Sequence, residues 1–313
     1  MNFRKILPII GVIILIYIII KVDPKKLLKS LIEVKLSLLL LSLLLFIPIF
    51  LIQTYKWHLI MKLQNLRTNF LYLSKANILG NFYGLLTPAR LGYFIKIDYL
   101  KEQTKAPVEK CSSNITIDRF LDVISVFLIA VIGSLMIFNI NLSIILIASS
   151  IVILLLFIFL MKPNLNKPVF KFIYYKILPE KLKQKANYSF HVVYDHIPKI
   201  RTLIIPFILS ILTWILINTQ VYLVALAFSV YIPFTTFIFL FPISTLITLL
   251  PISIAGFGTR EATLLYLFKP FNILPERIVS MSIFSPIITI GTYSILTAIF
   301  SLIKTHSKSY KNL

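Results

Sequence analysis

Leu249-Leu250-Pro251-Ile252-Ser253-Ile254-Ala255-Gly256-Phe257-Gly258-Thr259-Arg260-Glu261 closes a run of 58 residues, Thr202–Thr259, that contains no Asp, Glu, Lys, Arg or His. An uncharged stretch of that length belongs in lipid. Yet it ends in a proline, two glycines and then an Arg-Glu pair. In a bilayer each backbone N–H and C=O needs an internal partner, so Pro251, Gly256 and Gly258 are costly unless protein or a watery cavity surrounds them. Interrupted helices at membrane depth are where transporters place binding sites. The stretch therefore predicts a helical membrane fold with a site at its break.

The composition around it agrees. The chain has 313 residues, 58% of them hydrophobic, and a mean hydropathy of +0.91. The formal charge is +21, from 32 Lys plus Arg against 11 Asp plus Glu. In a soluble protein that excess would point to nucleic acid. Here the cations flank apolar segments and face lipid headgroups, so no nucleic-acid partner is expected. The single cysteine, Cys111, excludes an intrachain disulfide. The four histidines show no metal-ligand spacing and no nucleotide-binding glycine loop is present, so no metal or cofactor is expected.

Working outward, the apolar runs set the architecture. Arg4 and Lys5 precede 15 uncharged residues, Ile6–Ile20, with no small-residue cleavage site beyond, which predicts an uncleaved first helix. Val22-Asp23-Pro24 supplies an N-cap and a first-turn proline for a short interfacial helix. Leu36–Tyr55 is a 20-residue span, ending in Lys56-Trp57-His58 as an aromatic and basic boundary. Ala76–Ala89 holds 14 uncharged residues, too few to cross alone, and leads through Pro88 to Arg90 and Gly92, which predicts a broken or re-entrant helix. Lys101–Lys110 is a polar connection. Val123–Met161 is long enough for nearly two crossings, turning at Phe138–Asn141. Lys162–Arg201 carries nine Lys plus Arg against two acids and is expected on the cytoplasmic side. The 58-residue run turns at Tyr231-Ile232-Pro233, Leu249–Lys269 is a partial element, and Ile278–Ile303 is the last span.

The sum is an all-α integral membrane protein, a single polytopic domain over residues 1–313, with about seven or eight transmembrane helices and two broken or re-entrant segments. The two breaks echo each other. Pro88 and Pro251 are 163 residues apart, Gly92 and Gly256 164, close to half the chain. Two pseudo-repeats, over 36–161 and 202–303, would give that spacing, and so would chance in a chain rich in leucine.

Few ionisable residues lie near the breaks. Arg260 can hold a phosphate or carboxylate through two parallel hydrogen bonds, and a helix beginning near Thr259 would add its positive end. Glu261 would balance Arg260 when the site is empty, or carry a coupling proton. The alternative is an interfacial ion pair that only pins the helix. Asp118 and Asp122, four apart on one helical face, would repel unless a cation intervenes, and Arg119 can pair with Asp122. They read either as a polar lining opposite Arg90 or Arg260, or as an ordinary wet first turn.

Asn81 with Thr87-Pro88-Ala89-Arg90-Leu91-Gly92, then Asp118-Arg119-Phe120-Leu121-Asp122, then Pro251 through Gly256-Phe257-Gly258-Thr259-Arg260-Glu261, together resemble the flippase-like, lysylphosphatidylglycerol synthase transmembrane-region family. The resemblance runs in order through most of the chain, and its last motif is the most specific. It implies a multi-pass cell-membrane protein. In bifunctional bacterial members the related region is implicated in moving aminoacylated phosphatidylglycerol between leaflets, while a separate soluble domain performs aminoacyl transfer. With no such domain here, no enzymatic activity is expected. The chain departs from the pattern where Gly92-Tyr93 replaces Gly-Glu, near Lys96 where Arg is common, and at Asp118 where Glu is common.

These readings lead to a translocator or binder of an anionic lipid, such as a phospholipid or a polyprenyl-phosphate conjugate. Arg90, Lys96, Asp118, Arg119, Asp122, Arg260 and Glu261 are its candidate substrate-binding residues. Pro88, Gly92, Pro251, Gly256 and Gly258 are its backbone breaks. A secondary transporter of a small soluble anion is the alternative. A membrane-embedded transferase ranks last, because the external turns are short. Membrane lipids are the expected partners; the sequence identifies no protein partner.

Overall fold

The N-terminal apolar run forms helix α1, Phe3–Val22. Asp23 then accepts the Lys25 N–H at 2.9 Å, and Pro24 opens α2, Pro24–Ile32, as the cap-and-proline pattern predicts. These and the following features come from a computed structural model of the chain, which describes residues 3–136, 140–162, 197–250 and 252–309. Among the described residues every regular element is helical.

Leu36–Leu44 (α3) and Phe46–Leu63 (α4) make a rod interrupted only at Leu45. The expected headgroup boundary at Lys56-Trp57-His58 is not where this rod ends. Helix α4 runs on to Leu63 and buries Lys56 and Trp57, at 1% and 0% exposure. A charge can be held there because the neighbouring helix offers carboxylates, as described below.

Helix α5, Phe70–Leu86, starts on the Asn69 side chain, which accepts the Leu71 N–H at 3.1 Å. It stops at Thr87, whose backbone is extended ahead of Pro88. The Thr87 hydroxyl donates to the Tyr83 carbonyl at 2.9 Å and accepts the Gly92 N–H at 2.6 Å, which folds the 3-10 segment Pro88–Ile95 back along α5. A Cβ at Gly92 would strike the Tyr83 carbonyl, so the fold-back needs glycine there. Helix α6, Lys96–Thr104, follows and takes up part of the stretch expected to be a polar connection.

Helix α7, Val108–Met136, is followed by α8, Ile140–Met161; of the turn expected at Phe138–Asn141, Ile140 and Asn141 open α8 and the rest lies outside the described residues. A 3-10 turn, Ile200–Leu203, leads into α9, Ile204–Ala227, and α10 is Phe234–Thr248. The α9–α10 turn includes Tyr231-Ile232-Pro233, as expected. Helix α7 is the central one: it packs against α4, α6, α8, α9 and α10, and its buried side chains include Asp118, Asp122, Asn114 and Ser125. Pro242 inside α10 cannot bond the Ile238 carbonyl. Asn218 of α9 donates to that carbonyl instead, at 3.3 Å.

The opening stretch is a loop. Ala255, Gly256 and Gly258 take φ values of 54, 84 and 85°, a left-handed path that no helix continues. Pro251 lies outside the described residues. Helix α11, Thr259–Leu267, then restarts the chain, and α12, Pro275–Ser309, completes it. Helix α1 seals the loop: a Cβ at Gly258 would collide with the Gly11 carbonyl, and one at Gly11 would meet Ser253. The partial element expected over Leu249–Lys269 is thus a left-handed loop plus a nine-residue helix.

Among the described residues four helices are long and apolar enough to cross a membrane: Leu36–Leu63, Ile140–Met161, Ile200–Ala227 and Pro275–Phe300. In their most apolar 18-residue windows only 17–28% of residues are buried inside the protein. The remaining apolar surface requires an apolar surround, which makes this a membrane protein. Most of Lys162–Arg201, with its expected cytoplasmic placement, lies outside the described residues.

Candidate functional site

The register of α7 stacks Asp118 and Asp122 on one face, one turn apart. The cation their proximity demands is Lys56 of α4. Its Nζ lies 2.8 Å from Asp118 Oδ1 as an ion pair and donates to Asp122 Oδ1. Ser210 of α9 joins them, donating to the same Asp122 oxygen at 2.8 Å and standing 3.1 Å from Nζ. Arg119 pairs with Asp122 at 3.0 Å and approaches Asp118 at 3.8 Å. Two carboxylates are therefore matched by two cations. Buried ions cost several kcal/mol each unless paired and hydrogen-bonded, and this cluster meets both conditions.

Tyr93 extends the network. Its hydroxyl donates to Asp118 Oδ2 at 2.5 Å, and its ring lies 3.2 Å below the Arg119 guanidinium carbon. Lys96, fully buried, donates to the Tyr93 hydroxyl and, at 2.6 Å, to Asn77 Oδ1. Its ammonium also sits 4.3 Å from the Trp57 ring centroid. Trp57 is fixed in turn by its indole N–H, which donates to Asn114 at 2.8 Å.

In front of this network is a cavity of about 110 Å³, room for several waters or a phosphate-sized group. Arg90, Arg119 and Arg260 line it together, from the first break, from α7 and from α11. Arg90 has a left-handed backbone, φ 55°, and its guanidinium lies 5.8 Å from the Trp214 ring centroid. Arg260 is 9% exposed and reaches back across the second break to the Ala255 carbonyl at 2.7 Å. Among the described residues no carboxylate lies within 4.0 Å of Arg90 or Arg260. The buried Nε groups of Arg119 and Arg260 have no hydrogen-bond acceptor there either. The rest of the wall is divided. Gln53, Asn81, Thr245 and Tyr293 are polar, while Phe46, Ile49, Leu85 and Val221 are apolar.

Of the residues singled out from the sequence, Arg90, Arg119 and Arg260 reach the cavity. Lys96, Asp118 and Asp122 stand behind its wall and orient it. Glu261 has a different place from the one expected. Its oxygens accept the Gly258 N–H at 2.5 Å and the Ser282 hydroxyl of α12 at 2.6 Å, so it caps α11 and clamps the break. It makes no ion pair with Arg260 within 4.0 Å, and the positive end of α11 is already met by this carboxylate. Lys56, Tyr93 and Trp214 were not anticipated. The i, i+4 aspartates carried the only signal for Lys56, since they require a cation without saying which. Among the described residues no group of three His, Cys, Asp or Glu side chains could hold a metal ion.

The arrangement offers two guanidinium groups without a carboxylate partner and a third with a spare N–H, in a pocket of mixed polar and apolar lining. Guanidinium groups without a carboxylate partner have the chemistry to hold an anion. No curated protein matches the chain. A family does match over residues 6–297, nearly the whole chain, and the protein belongs to that family, the Lysylphosphatidylglycerol synthase TM region.

Proposed function

We propose that the protein binds an anionic lipid and moves it between leaflets of the cell membrane, without altering it chemically. The observation that carries this reading is the convergence of Arg90, Arg119 and Arg260 on one cavity whose lining also includes apolar side chains such as Phe46, Ile49 and Leu85. A lipid phosphate would take the guanidinium N–H groups that have no acceptor, and its tails would lie along Phe46, Ile49 and Leu85 towards the membrane. The interrupted segments at 88–95 and 249–258 act as re-entrant hairpins at the centre of seven or eight crossings, and correspond as parts of two pseudo-repeats. The basic 162–201 connection lies on the cytoplasmic side.

The test is movement of a fluorescent anionic phospholipid in proteoliposomes, read by quenching from outside. Arg260→Lys keeps the charge but loses the bidentate geometry, and is expected to slow movement at least tenfold in a protein that still folds. Unchanged movement in that variant would remove Arg260 from the site. The same cavity supports a second reading, a carrier of a small soluble anion, because its open interior accommodates a headgroup but not a whole lipid. Stabilisation by a soluble anion and by no lipid would favour it.

A further inference from the structure

The charge balance around the cavity narrows what it holds. The cationic and carboxylate side chains of the network, the cavity wall and the adjoining second break are Lys56, Arg90, Lys96, Arg119 and Arg260 against Asp118, Asp122 and Glu261. Asp118 and Asp122 are spent on Lys56 and Arg119. Glu261 is spent on the Gly258 N–H and Ser282, while Lys96 is enclosed by Asn77, Tyr93 and Trp57. Five cations against three carboxylates leave an excess of two. The cations on the cavity wall without a carboxylate are also two, Arg90 and Arg260.

In a low-dielectric interior such an excess is costly, and the ligand that relieves it most completely brings two negative charges. Building on the lipid reading above, we propose that the group held between Arg90 and Arg260 is a doubly charged phosphate: a phosphomonoester or a diphosphate. A phosphodiester headgroup carries one charge and would leave one guanidinium unmatched. A phosphomonoester carries close to two at neutral pH, and a diphosphate at least as many. A phosphodiester headgroup that itself bears an ammonium is neutral overall and would cancel none of the excess.

The experiment is competition by native mass spectrometry. The purified full-length protein is offered equal amounts of phosphatidic acid and phosphatidylglycerol with identical acyl chains, then a polyprenyl diphosphate against the same phosphatidylglycerol. Inorganic pyrophosphate, in a thermal-shift arm, tests for a soluble source of the same chemistry. The expected result is at least about tenfold preference for the doubly charged lipids, the size of one further charge-assisted hydrogen bond. Arg90→Gln and Arg260→Gln should each collapse that preference towards one. Arg90→Lys, which preserves the charge count, should retain it even where overall binding weakens, so a loss through misfolding is separable from a loss of charge.

Equal binding of both lipid classes by the wild-type protein would overturn the proposal and leave the anionic-lipid reading standing. Stabilisation by pyrophosphate with neither lipid retained would keep the doubly charged ligand and remove the lipid. Retention of no lipid and no response to pyrophosphate would overturn both.

Discussion

The Lys56 ammonium of α4 lies 2.8 Å from the Asp118 carboxylate of α7, with both side chains at most 2% exposed. The same ammonium bonds Asp122, so one lysine neutralises the repulsion that the i, i+4 aspartates would otherwise suffer. Lys56→Met leaves two buried carboxylates sharing only Arg119. It is expected to cost about 3–5 kcal/mol, the penalty for stranding a buried charge. Lys56→Met combined with Asp122→Asn removes one charge of each sign and should recover much of that loss. Chemical unfolding in detergent checks both. Equal destabilisation of the single and double variants would show that Lys56 contributes packing alone.

Gly258 joins α1 to the second break. With φ 85° and the Gly11 carbonyl against the position a Cβ would occupy, Gly258→Ala meets both a backbone and a packing obstacle. The conformational part alone is worth about 1–3 kcal/mol. The thermal midpoint should fall, and proteolysis should begin near residues 252–258. A midpoint unchanged from wild type would mean that α1 does not hold the loop as described.

How much of this was readable in advance follows from what lipid enforces. Long uncharged runs, the Asp23-Pro24 start of α2, the α9–α10 turn and the interrupted element before Arg260 were all legible, because a bilayer penalises charges and free backbone groups locally. Lys56 was not, because a lysine beside Trp57 and His58 after 20 uncharged residues has the composition of a membrane boundary. Only the position of α7 turns it into a buried counterion. The bonds of Glu261 were hidden for a related reason. Its sequence neighbour is Arg260, but its bonding neighbours are the Gly258 N–H and Ser282, 21 residues further on. Pairings made across helices do not show in spacing along one.

The Pro242–Asn218 relation gives a coupling that can be measured. Pro242 has no N–H to offer the Ile238 carbonyl, and the Asn218 side chain fills that role at 3.3 Å. Asn218→Ala should cost about 0.6–1.7 kcal/mol, the range for hydrogen bonds between membrane helices. In a Pro242→Ala background the new backbone N–H takes the carbonyl, so the Asn218→Ala cost should shrink towards zero. Additive costs in the double-mutant cycle would place the worth of Asn218 elsewhere.

Arg90 separates strain from recognition. Its φ of 55° is a conformation that side chains disfavour and glycine adopts freely, yet its guanidinium reaches the cavity beside Trp214. A residue chosen for stability alone would be glycine, as at positions 256 and 258. Arg90→Gly relieves the strain but loosens the unfolded chain. These effects are of similar size, so stability should change by no more than about 1 kcal/mol. Movement of an anionic lipid should nevertheless fall at least tenfold, because one of the two unpaired cations is gone. The two readouts are the thermal midpoint in detergent and the proteoliposome rate. A rate that survives with the midpoint would take Arg90 out of recognition. A midpoint that collapses with the rate would make its contact with Trp214 structural.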